Sequence, residues 1–141
     1  MSASEEFFEV LAAFRDAKSA EHEQIDFEIE FYQQILQHNP SYIDVLRRLV
    51  EHLSRRGDYS RALPRYRQLI EMRPDDCIAR YNLACTLAML GRLEQAVHAL
   101  DEAFQFGYHD IAHLESDSDM EPLRDHPVYL ALLDKYDVPL L

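Results

Sequence analysis

Apolar residues recur at helical spacing along most of this chain, and the interruptions mark where each helix ends. Val45, Leu46, Leu49, Val50 and Leu53 form one stripe, opened by Ser41 as a candidate cap with Asp44 three residues on and ended by Gly57. Asp58 is placed to cap the next helix, through Ala62, Leu63, Tyr66, Leu69 and Ile70, which Pro74 stops. Pro64 lies inside it and removes a helical hydrogen bond unless the helix starts late, near Ser60. Asp75 or Asp76 opens a third helix through Ile78, Leu83, Leu87 and Leu90. Gly91 then turns the chain, and Leu93, Ala96, Val97, Leu100 and Ala103 line a return helix that ends at Gly107.

The flanks are less regular. Residues 21 to 38 alternate Ile25, Phe27, Ile29 and Phe31 as a half-buried strand would. They also carry Ile25, Ile29, Tyr32 and Leu36 on one helical stripe and Phe27, Phe31 and Ile35 on another, which predicts a helix buried between neighbours and ended by Pro40. An earlier helix, about Ser4 to Ala17, with Phe7, Val10, Leu11 and Phe14, is expected to pair with it. After Gly107 the pattern fails. Tyr108 to Glu121 reads as an acidic, irregular stretch, and His126-Pro127 then opens a short helix through Val128, Tyr129, Leu132 and Leu133 that caps the last open hydrophobic face.

The interruptions are periodic. Pro40 and Pro74, Gly57 and Gly91, Leu49 and Leu83, Leu53 and Leu87, and Ala62 and Ala96 are each 34 residues apart, and a fixed period of this length signals stacked helical hairpins. On these residues the chain resembles the tetratricopeptide-repeat family. Leu46, Leu49, Val50, Leu53, Ala62, Tyr66 and Pro74 occupy the family's pattern in one unit, and Arg80, Leu83, Ala84, Leu87, Ala96, Leu100 and Tyr108 in the next, where Tyr108 replaces the closing proline. The tail from Leu114 to Leu133 is similar to the segment that closes many bacterial-type members. The resemblance implies an all-α fold of antiparallel helical hairpins, stacked as a short right-handed superhelix with a C-terminal capping helix. It divides a single domain, 1–141, into a degenerate N-terminal helix pair (1–40), two repeats (41–74 and 75–108) and an acidic loop with capping helix (109–141).

Composition narrows the function. At 141 residues with 48% apolar, 28% charged and only three glycines, the chain can bury one core of packed helices. Its net charge of -12 argues against electrostatic binding to nucleic acid or anionic lipid and suits a neutral or basic partner. The charge is uneven: residues 1–46 carry ten acids and two bases, residues 47–92 five acids and ten bases, and residues 93–141 eleven acids and two bases. The middle is therefore basic, which reads either as helix faces that complement their neighbours or as a groove for an acidic ligand. The N-terminus lacks a basic, apolar leader, and no stretch is apolar enough to span a membrane, so a cytoplasmic setting is expected. Cys77 and Cys85 lie eight apart in one helix, too far to pair with each other, and read as small apolar residues in a reducing compartment.

Candidate chemistry is sparse. His109 and His113 have the spacing of a metal-binding helix face, with Asp117, Asp119 and Glu121 nearby, but the pair lacks the Glu of a zinc-protease motif and Pro122 stands where a calcium loop needs glycine. No metal, cofactor or catalytic residue is expected. In the family the first helix of each hairpin lines a concave groove that meets a protein or peptide. The corresponding positions nominate Arg47, Glu51 and Arg55 in one repeat and Tyr81, Asn82, Cys85 and Met89 in the next. The function this implies is a non-catalytic adaptor or scaffold. The alternative is self-assembly, with a homodimer formed through the aromatic N-terminal helices.

Overall fold

A computed structural model of the chain describes residues 2–139. It is all-α: α1 (Ala3–His38), α2 (Ile43–Arg55), α3 (Tyr59–Met72), α4 (Cys77–Met89), α5 (Leu93–Gln105), α6 (Ile111–Ser116), a 3-10 helix (Ser118–Leu123) and α7 (Pro127–Lys135), with no strand among the described residues. The helices fall into two compact units, one ending at Arg56 and one beginning at Gly57.

In the first unit a single helix of 36 residues replaces the expected N-terminal pair. Ser2 and Glu5 close a reciprocal capping box, and Asn39 ends the helix just before Pro40. Between the two predicted segments lies Lys18-Ser19-Ala20-Glu21, which contains neither glycine nor proline, so nothing breaks the backbone ladder. Ile25, Ile29 and Leu36 are buried, and α2 packs along this half of α1 with Val45, Leu46, Leu49, Val50 and Leu53 turned inward. Phe27 and Phe31 stay exposed, which corrects the expectation of a helix buried on two sides. Polar pairs fix the register: Glu28 with His52, Asp26 Oδ1 with Arg56 Nε at 2.9 Å, and the His52 ring edge-on to Tyr32. The cap of α2 falls at Tyr42 rather than Ser41 and uses no side chain.

The second unit is built on the α4–α5 hairpin, with α3 against α4 on one side and the C-terminal segment on the other. Asp58 and Asp76 cap α3 and α4 by accepting from Arg61 N and Ala79 N. α3 runs as one element through Pro64. At the hairpin bend Gly91 has φ +74, and Gly91 N and Arg92 N reach back to Ala88 and Leu87, closing a Schellman turn that only a residue tolerant of positive φ makes without strain. Ala84, Ala96, Leu100 and Ala103 are fully buried, the small side chains letting the helices approach closely. The segment expected to be irregular is helical in two short pieces, because Asp110 caps α6 and Asp117 caps the 3-10 helix. Leu114, Met120 and Leu123 enter the core completely, joined by Tyr129, Leu132 and Leu133 of α7. His126 and Pro127 open α7, as their sequence order predicts.

Candidate functional site

The nominated residues fall on two helices, one in each unit. On α2 the arithmetic of 3.6 residues per turn sends every apolar residue inward and puts Arg47, Glu51 and Arg55 together on the exposed side. Arg55 reaches Glu21 of α1 at 3.5 Å, with both side chains more than half exposed. A pair this wet contributes little to stability, so the arginine stays available to a partner.

On α4 the outcome differs. Met89 is exposed and Asn82 half-buried, its carbonyl accepting from Thr86 Oγ1, whereas Tyr81 and Cys85 are buried, at 2% and 7% exposure. The expectation that these two meet a ligand directly is therefore corrected: α6 and the 3-10 helix cover them. The Tyr81 hydroxyl donates to Asp117 Oδ2 at 2.6 Å, and the Cys85 thiol lies 3.6 Å from the same oxygen. Asp117 Oδ1 accepts from Asp119 N at 3.0 Å, and His113 Nε2 stands 3.3 Å from Oδ2. Tyr108 stacks flat on Tyr81 with ring centroids 4.3 Å apart. Asp117 thus ties the C-terminal segment to α4 and caps the 3-10 helix at once.

The electrostatics of this cluster suit a neutral, hydrogen-bonded latch. Burial first, then Cys85 and Asp117 for the Tyr81 hydroxyl and Asp117 and Asp119 for the Cys85 thiol, raises both groups and keeps them in their neutral forms. Burial also pushes Tyr108 up to about 12 and raises the Asp119 carboxyl, to which Asp117 adds like-charge repulsion. Ligand atoms of Cys85, Asp117 and Asp119 lie within 4.8 Å of one another. A cation there would need the thiolate that burial opposes, and a carboxylate already accepting from Tyr81 and the 3-10 helix. His109 is turned away, its Nδ1 on the Gly107 carbonyl.

Neither Asp117 nor Tyr108 was among the residues that the sequence nominated for the binding face. Tyr108 had left a signal, being the one closing position of the repeat where tyrosine replaces proline. Asp117 stood only among the acids near His109 and His113, any of which could cap.

With hairpins, turns and site in view, the class is that of helical-repeat proteins. Residues 47–108 match the tetratricopeptide-repeat family, so the chain carries tetratricopeptide repeats over that segment. Repeats of this kind build surfaces for protein–protein interaction and are typically non-catalytic. A relative is a chloroplastic protein of Arabidopsis thaliana, 33% identical over 87 residues that make up 60% of this chain and 26% of the plant protein. The match thus spans about a quarter of that relative's length. Among the described residues no helix is long and apolar enough to cross a membrane.

Proposed function

We propose that the chain is a non-catalytic adaptor that holds a protein or peptide on the exposed faces of its first repeat helices, the faces that line a concave groove in the family. Arg47, Glu51 and Arg55 on α2 and Asn82 with Met89 on α4 are the contact residues in this reading, and Tyr81 and Cys85 form a buried floor beneath the last two. The observation that carries it is the α2 face, a four-residue-spaced row of long polar side chains turned away from the core. The neutral, buried state of Cys85 and Tyr81 argues against either of these two acting as a nucleophile.

Two unpaired cysteines suit a reducing compartment. Cytoplasm is the setting inferred from the sequence, and the name of the plant relative adds a chloroplast as the second setting to examine. A bacterial-type source belongs to the same proposal and rests on the resemblance of the tail.

The test compares wild type with Arg47→Glu, Arg55→Glu in affinity capture from source-cell extract, after circular dichroism has shown equal helix content. A protein retained by wild type and lost by the variant supports the α2 face. Equal retention by both refutes it.

A further inference from the structure

α1 is about 54 Å long and α2 about 20 Å, at 1.5 Å per residue, so α2 covers only part of its partner. The two run antiparallel, and the last residues of α2 reach α1 at Glu21 and Asp26. Beyond that point the stripe that α2 covers continues. Ile25, Ile29, Tyr32 and Leu36 share one side of the helix, and Phe7, Val10, Leu11 and Phe14 extend the same side toward the N-terminus. Phe7, Val10 and Phe14 are 63%, 70% and 59% exposed, so nothing among the described residues covers them. Ala3, Phe7, Val10, Phe14 and Ala17 follow the alternating four-and-three spacing of a coiled-coil seam.

We propose that residues 3–21 of α1 are a self-recognition helix that pairs antiparallel with the same segment of a second copy of the chain, crossing near Leu11 and Ala12. Three observations select this occupant. The seam alternates large and small residues, so in antiparallel register Phe7 and Phe14 of one copy meet Ala17 and Val10 of the other. The charge is uneven along the segment: Glu5, Glu6 and Glu9 make its start acidic, whereas Arg15 and Lys18 balance Asp16 and Glu21 toward its end. Antiparallel pairing lays the acidic start on the end that carries Arg15 and Lys18, whereas parallel pairing sets the two acidic starts on each other. The second copy also continues the established α1–α2 interface, its acidic first turn entering the stripe just past Arg55 and Arg56 at the end of α2.

At about 150–250 Å² per phenylalanine, the four phenylalanines of the two copies, with their valines and leucines, bury on the order of 1,000 Å². That area lies near the lower edge for a specific interface and points to a dimer that dissociates on dilution.

Sedimentation velocity of the full chain over a range of concentrations tests the pairing. Wild type is expected to pass from monomer to dimer with rising concentration, and Phe14→Glu to stay monomeric with the helix signal of α2–α7 intact, because Phe14 touches no core. A wild type that stays monomeric throughout overturns the proposal, including one that instead co-sediments with lipid vesicles. A Phe14→Glu chain that still dimerises overturns it as well. Orientation is read by mixing Ser4→Cys and Lys18→Cys chains under mild oxidation, with the linked peptides identified by mass spectrometry so that Cys77 and Cys85 are told apart. Mixed links, from position 4 of one copy to position 18 of the other, are expected. Dominant links between two Ser4→Cys copies would refute the antiparallel register.

Discussion

Removal of the Asp117 carboxylate would release the C-terminal segment from α4, and the size of the effect follows from its contacts. Asp117→Ala deletes the cap of the 3-10 helix, worth about 0.5–2 kcal/mol. It also strands the Tyr81 hydroxyl, which sits in a residue 2% exposed, at about 1–3 kcal/mol. Together these predict a loss of about 1.5–5 kcal/mol. Tyr81→Phe removes only the donor. Asp117, its side chain 14% exposed, keeps its bond from Asp119 N, so about 1–2 kcal/mol is expected. Because both variants break the same bond, the double variant should cost little more than Asp117→Ala alone, leaving a coupling of about 1–2 kcal/mol. Urea unfolding of the full chain followed by circular dichroism measures all three. Hydrogen exchange locates the change, with protection lost over 111–123 and kept over 25–36. A cost for Asp117→Ala below about 0.5 kcal/mol, or strictly additive single-variant costs, would show that this contact does not hold the segment in place.

Asp119 offers a pH test of the same segment. Its carboxyl is raised in the folded chain by burial and by Asp117, so its contribution to stability is fully present below the ordinary carboxylate range and is lost as pH rises through the raised value. Asp119→Asn should therefore stabilise the protein at neutral pH and have no such effect in acid, and equal effects at both would refute the assignment. The thiols should separate in a colorimetric titration: half-buried Cys77 reacts in the native chain, whereas Cys85, 7% exposed and held as the thiol, reacts only in denaturant. Rapid native labelling of both would contradict the burial of Cys85 beneath the 3-10 helix.

The helices of residues 41–108 could be read from the chain because their signals are local. Gly57 and Gly91 mark turns that need positive φ, Asp58 and Asp76 cap, Pro74 stops, and apolar residues repeat with the period of one helical face. Each acts within a few residues of itself, so no knowledge of the rest of the fold was required. The continuity of α1 was a matter of what was missing, since two amphipathic stretches joined by helix-compatible residues look like two helices until nothing is found to break them. Whether a face is covered is different in kind. Arg47, Glu51 and Arg55 on α2, and Tyr81 and Cys85 on α4, all occupy positions of a first repeat helix that the family leaves for a ligand. The first three are exposed while Tyr81 and Cys85 are buried. The residues that decide this, Tyr108, Asp117 and Met120, lie 27 to 39 positions further along the chain than Tyr81, at the close of the second repeat and in the segment beyond it, which has no repeat pattern of its own. Helix, turn and period are properties of neighbours in sequence, and the sequence determined them. Burial is a property of neighbours in space, and for Tyr81, Cys85 and the uncovered stripe of α1 only the tertiary structure decided it.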